Sequence, residues 1–111
     1  MSPKRGEVWL IDFGMPRGYE QAEERPAIVI QNDDLILHTV IVIPTTTARQ
    51  KSEKGTVILP GKWGLESQSA ALCFQIRAVD EYRFKKQLGK LPEEILAELE
   101  TTIAYVLGLA V

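Results

Sequence analysis

At 111 residues, 45% of them hydrophobic and 25% charged, the chain has the size and mix of one ordinary globular domain. A formal net charge of −2 argues against a strongly basic nucleic-acid clamp. One cysteine and one histidine cannot make an internal disulfide and offer no ligand spacing for zinc, so no metal and no cofactor is expected. No window has the apolar length of a membrane span, and Met1 to Arg5 lead into a strand rather than the apolar core of a signal peptide. A cytoplasmic protein with no membrane partner is the expectation.

The charge is unevenly spread. Pro92 to Tyr105 holds Glu93, Glu94, Glu98 and Glu100 and no basic residue, so this segment carries −4 and the rest of the chain +2. Lys4, Arg5, Arg17, Arg25, Arg49, Lys51, Lys54 and Lys62 all belong to that remainder, mostly in expected loops. A mildly basic face opposite an acidic helix fits this distribution.

Along the chain there is no repeat, low-complexity run or linker, and residues 1–111 read as a single domain. Val8 to Phe13 is aromatic-rich and β-branched, which predicts a strand. Residues 14–25 are rich in glycine and charge and predict a long loop, a feature that in compact domains usually serves function. Pro26 lacks an N–H and suits the first position of the next strand, over 26–31, while holding Arg25 extended. Asn32-Asp33-Asp34 marks a turn. Residues 39–44 predict a third strand ended by Pro44, residues 45–54 a polar, basic loop, residues 56–59 a fourth strand and residues 70–79 a fifth. The period then changes. Ile95, Leu99, Ile103 and Val106, with Leu96 and Leu107 beside them, form one apolar stripe on a helix. Pro92, Glu93 and Glu94 suit its first turn and Gly108 its left-handed end. Short non-local strands followed by one packed helix predict a mainly β domain, a small barrel or strongly curved sheet with a helical lid.

Arg25 is expected at the point where the long loop becomes a buried strand, with a guanidinium placed to grip a phosphate or carboxylate. The short connection between strands 26–31 and 39–44 predicts an antiparallel hairpin. Such a hairpin sets Arg25, at the start of one strand, beside Thr46, just past the end of the other. Gln75 and Arg77 alternate with Ile76 and are expected on one face of the fifth strand. Glu20 and Gln21 fall in the long loop. His38 is the sole histidine, so acid–base chemistry by a histidine pair within one protomer is ruled out.

Six stretches resemble, in order and over roughly residues 4–109, the MazF/PemK family of toxin endoribonucleases. They are Arg5-Gly6-Glu7-Val8-Trp9, the run from Glu20 to Asn32 with its Arg25-Pro26 step, Ile43-Pro44-Thr45-Thr46, the run from Gln75 to Asp80, Leu88-Gly89-Lys90-Leu91 with its Pro-Glu-Glu helix start, and Leu107-Gly108-Leu109. The resemblance implies an SH3-like barrel, α+β by some counts. It implies a homodimeric toxin of a toxin–antitoxin pair that cuts single-stranded mRNA without metal and is blocked by a cognate antitoxin protein. It makes Arg25 and Thr46 the catalytic pair. Glu20, Gln21, Thr47, Arg49, Lys51, Gln75 and Arg77 are the RNA-contacting residues in this reading. Two departures stand out: Phe74 occupies a position where many members have an acid before the glutamine, and Ala22-Glu23-Glu24 replace the usual glycines before Arg-Pro. A non-enzymatic SH3-like binding module, or a gyrase-targeting toxin on the same barrel, is the alternative reading.

Overall fold

A computed structural model of the chain describes residues 2–15, 18–20, 23–47 and 53–109. Among these residues seven strands and one helix follow in chain order: β1 (Glu7–Asp12), β2 (Glu24–Val29), β3 (Thr39–Thr47), β4 (Thr56–Leu59), β5 (Ser69–Leu72), β6 (Arg77–Asp80), β7 (Phe84–Lys90) and α1 (Glu93–Leu107). Two 3-10 turns, Cys73–Gln75 and Glu81–Arg83, flank β6. Every strand pairing is antiparallel. β2 lies between β1 and β3, and β1 lies between β2 and β7. The far edge of β3 is shared, with β6 along Thr39–Val42 and β5 along Thr45–Thr47, and β4 lies beyond β5.

Alternation along these strands makes two cores, one on each face. On one face Trp9, Ile11, Phe13, Ala27, Val29, Val40, Val42, Val79 and Phe84 bury together. β6 and β7 stand at opposite ends of the order β6-β3-β2-β1-β7, yet both feed this cluster, so the sheet is rolled into an open barrel. The Phe84 ring closes it edge-on against Trp9, with centroids 5.6 Å apart. On the other face Val8, Ile28, Ile30 and Ile43 pack with Val57, Leu59, Leu65 and Cys73 and with Leu96 and Leu99 of α1. Burial there pushes the Cys73 thiol up to about 11.

The helix follows its apolar stripe. Leu96 and Leu99 are buried, and Ile95, Ile103 and Val106 pack partly against the core, whereas Leu107 is exposed. Pro92 sits one position outside the helix as its N-cap. Gly108 takes φ +70°, and the N–H groups of Gly108 and Leu109 close the end onto the carbonyls of Tyr105 and Ala104 at 3.1 and 2.9 Å.

Three expectations change. β3 runs on through Thr47, so the loop expected over 45–54 starts later. The fifth strand expected over 70–79 is two strands. Between the pairs Thr45↔Ala71 and Val42↔Arg77, β3 advances three residues and its partner six, and the surplus is the 3-10 turn at Cys73–Gln75. β7 has no counterpart among the expected strands. Its Phe84-Lys85-Lys86-Gln87-Leu88-Gly89-Lys90 carries three lysines and a glycine and no β-branched residue, a poor strand by propensity but a suitable sheet edge.

Candidate active site

The hairpin forms, and its local chemistry explains how Arg25 and Thr46 meet. The β2–β3 ladder ends at Ala27↔Pro44. Pro26 and Pro44 have no N–H with which to extend it. Side chains take over. Thr45 Oγ1 donates to the Pro26 carbonyl at 2.7 Å, and Arg25 Nη1 donates to Thr46 Oγ1 at 3.5 Å. Thr45 is buried and Thr46 half-buried, so two adjacent threonines divide the work: one satisfies the backbone, the other meets the arginine. Arg25 lies within β2, which begins at Glu24, rather than just ahead of it.

Alternation places Arg25 with Ala27 and Val29, and Thr46 with Val40 and Val42, so both stand on the barrel-interior face near its open end. Arg77 opens β6 opposite Val42, on that same face, with its Cζ 5.4 Å from the centroid of the Phe13 ring. Gln75 does not share a strand face with Arg77. It closes the 3-10 turn, and its Nε2 donates to the Tyr19 carbonyl at 3.1 Å, tying the turn to the β1–β2 loop. Glu20 is exposed in that loop, and Thr47 is exposed at the end of β3 opposite Ser69. Gln21, Arg49 and Lys51 lie outside the described residues.

The base of the loop is narrow. Phe13 N–H donates to the Glu23 carbonyl at 3.0 Å and Glu23 N–H to the Gly14 carbonyl at 2.7 Å, with Glu23 held at φ +63°. Asp12 Oδ1 accepts from the Gly14 N–H at 2.8 Å, and Arg83 Nη1 donates to the Asp12 carbonyl at 3.2 Å. Arg83 was not among the expected site residues, and nothing in Glu81-Tyr82-Arg83 as a string distinguishes it from a surface arginine. Phe74, in the looped-out turn, is half exposed and lies over Gly55. His38 pairs with Glu81 at 3.4 Å, just before β3, so the length of that strand, about 25 Å at about 3.3 Å per residue, separates it from Thr46.

Beside the pair opens a cleft of about 460 Å³ that touches Arg25, Pro26, Thr45 and Thr46 and continues over Leu10, Leu65, Glu66, Ser67, Lys86 and Leu88. The last four come from β7 and the β4–β5 connection, two segments with no sequence signature of a site. A guanidinium fork matches two oxygens of a phosphoryl group, and a hydroxyl that accepts from arginine can still donate its own proton. The arrangement is therefore suited to an oxyanion carrying several acceptor oxygens.

Comparison with known proteins gives a consistent picture. A family model described as the PemK-like, MazF-like toxin of type II toxin–antitoxin systems matches residues 4–107. The chain is 36% identical over 110 residues to the endoribonuclease MazF of Staphylococcus epidermidis, covering 96% of this chain and 92% of that protein. The crystal structure of MazF from Deinococcus radiodurans (form I) aligns with a TM-score of 0.83 at 27% identity, over 96% of this chain and 97% of that one. A MazE–MazF structure from Deinococcus radiodurans (form II) aligns with a TM-score of 0.78 at 27% identity, over 97% of each chain.

Proposed function

We propose that this chain, which belongs to the PemK-like, MazF-like toxins of type II toxin–antitoxin systems, is a sequence-selective endoribonuclease that cleaves single-stranded RNA without a metal ion. The observation that carries the reading is the Arg25–Thr46 contact at the open end of the barrel, beside a cleft. Cleavage by the 2′-OH requires the nucleophile to lose a proton, the phosphorane charge to be stabilised and the 5′-oxygen to gain a proton. Arg25 stabilises the phosphorane through charge-assisted hydrogen bonds to its equatorial oxygens. Thr46 donates to a further oxygen and is held for that task by the arginine. Gln75 and Glu20, joined through the Tyr19 carbonyl and the loop, contact bases, and Arg77 and Thr47 contact the strand on either side. Gln21, Arg49 and Lys51 belong to the RNA-contacting set in the same proposal. The proposal of metal-free chemistry rests on the donor set: among the described residues no three His, Cys, Asp or Glu side chains gather to hold an ion.

The chain acts as a single cytoplasmic domain. Among its described residues no helix is long and apolar enough to cross a membrane. Its working form is a homodimer that lays RNA across both protomers, since a chain of net charge −2 has little basic surface of its own. Its regulator is a cognate antitoxin, as MazE is the partner of MazF in the Deinococcus radiodurans complex. The deciding experiment incubates the protein with single-stranded RNA in EDTA. Cleavage with 2′,3′-cyclic phosphate or 3′-phosphate and 5′-hydroxyl ends, abolished by a 2′-deoxy sugar at the cut nucleotide, is expected. Cleavage of the deoxy substrate overturns the internal nucleophile, and no cleavage of varied RNAs overturns the enzyme.

A further inference from the structure

The cleft next to Arg25 and Thr46 has a built floor. Gly64 takes φ +97°, and a Cβ there would lie 2.5 Å from the carbonyl of Leu88, while a Cβ on Gly89 would lie 2.0 Å from the carbonyl oxygen of Trp63. Only two glycines let the β4–β5 connection rest backbone-to-backbone on β7. That contact fixes Leu65, Glu66 and Ser67 across from Lys86 and Leu88, and the space between is about 460 Å³, the size of an ordinary small-ligand site. Its lining is chemically split. Leu10, Pro26, Leu65 and Leu88 offer an apolar surface, whereas Glu24, Glu66 and Lys86 bring charge. Among the described residues the Lys86 ammonium and the Glu24 and Glu66 carboxylates make no hydrogen bond or ion pair. Among the described residues, then, these three charges are uncommitted.

We infer that this cleft is a nucleotide subsite, holding the base next to the scissile phosphate on its apolar floor, with Lys86 on the following phosphate and Glu24 or Glu66 reading the base edge. The inference rests on the proposed ribonuclease activity and deepens it. A flat ring with a polar rim fits an apolar floor bounded by hydrogen-bonding groups. Ionised carboxylates only accept, so they select a base edge that donates, such as the exocyclic amine of cytosine or adenine or the N1–H and N2 amine of guanine, and disfavour uracil, whose O4 is an acceptor where cytosine has its amine. An ammonium at the rim is a point charge suited to a phosphate whose exact orientation does not matter. Continuity with the catalytic pair is direct, because Arg25 and Thr46 themselves line the near end of the cleft.

The test uses the full-length protein and a pool of unstructured RNA 15-mers with randomised centres, cut ends being read by sequencing. Wild type is expected to enrich a base with a donating amine, cytosine, adenine or guanine, over uracil at one position next to the cut. Glu66→Gln and Glu24→Gln, assayed singly and together, should flatten that preference. Lys86→Ala should raise KM about five- to tenfold with kcat little changed, and should make the dependence of log(1/KM) on log[salt] shallower by about 0.7, one single-strand phosphate. Lys86→Arg should restore most of both. Wild-type cleavage with variants that keep the same cut profile, KM and salt slope overturns the subsite alone. Failure of the wild type to cleave any RNA overturns the ribonuclease reading instead. Thermal midpoints within a few degrees of wild type exclude misfolding as the cause, since all three side chains lie at the surface and have no partner among the described residues to lose.

Discussion

The neighbouring threonines Thr45 and Thr46 give the sharpest test of the catalytic reading, because the same chemical change should act on opposite properties. Thr46→Val keeps the shape of the side chain and removes a hydroxyl whose bond from Arg25 is long, 3.5 Å, and half exposed. A bond at that limit adds little to the fold, so the stability change should stay below about 1 kcal/mol. If the hydroxyl donates to the phosphorane, its loss should cost about 10² in kcat, and Arg25→Ala should cost about 10²–10³, the usual effect of removing one donor to a developing oxyanion. Arg25→Lys should recover little, since an ammonium cannot reproduce the fork. Thr45→Val does the reverse. Its hydroxyl is buried and donates at 2.7 Å to the Pro26 carbonyl, so the variant leaves that acceptor unsatisfied and should lose about 1–3 kcal/mol of stability while retaining cleavage within about tenfold well below its melting temperature. A fluorogenic RNA assay in EDTA, paired with urea unfolding of each variant, separates the two. Thr46→Val and Arg25→Ala proteins that cleave within threefold of wild type would refute the mechanism, as would activity losses that track stability across all the variants.

Other consequences are independent of that pair. Gly89→Ala should cost at least about 3 kcal/mol or prevent folding, because the new Cβ meets backbone and not a movable side chain, whereas Gly108→Ala, with open space around it, should cost only about 1 kcal/mol for its φ of +70°; chemical denaturation of both ranks them. Cys73 is buried with its thiol raised from 9.0 to about 11, so the native state holds a proton that the unfolded state releases between those values. Its contribution is intact below pH 9 and falls by at most about 1.4 kcal/mol per pH unit from there to pH 11; Cys73→Ala should remove that slope, and a thiol reagent at pH 8 should label the unfolded chain far faster than the native one. Sedimentation at micromolar concentration should give a dimer, and a monomer cleaving at full rate would discard the composite groove.

How much of this was legible in the sequence depended on whether the signal was local. The hairpin was, because Pro26 and Pro44 punctuate two apolar runs separated by a short turn, and the observed register brings Arg25 to Thr46 as that reading required. The helix was, because its stripe repeats every three to four residues. The fifth strand misled because Ala70 to Val79 is apolar or polar in the proportions of one strand, and nothing in Cys73-Phe74-Gln75 announces a 3-10 turn. The split matters, since it removes Gln75 from the face of Arg77 and gives it to the loop through Tyr19. β7 was invisible because its lysines are favoured by an edge position that only the assembled sheet defines. With β7 unseen, neither Lys86 nor the cleft beneath it could have been inferred, and nothing local to Gly64 or Gly89 marks the backbone-to-backbone contact they permit.

The two faces of the sheet also constrain the substrate. Arg25 and Thr46 belong by alternation to the barrel interior and reach only the near end of the cleft, at the rim, whereas Leu10, Pro26 and Thr45, which line it further in, belong to the face that carries Ile28, Ile43 and the helix. A strand with one phosphate at the pair and its neighbouring base in the cleft must therefore cross the ends of β2 and β3, where two prolines have already stopped the ladder. Successive phosphates are only a few bonds apart, so crossing that rim requires the bases on either side of the cut to unstack and point to different faces. A duplex, with its bases paired and stacked, resists this turn by the free energy of disrupting at least one step, of the order of a few kcal/mol. A single strand meets far less resistance. On this argument the geometry of the strand ends restricts the substrate to single-stranded RNA even before any base is read, and pairing only the two nucleotides at the cut should be enough to suppress cleavage.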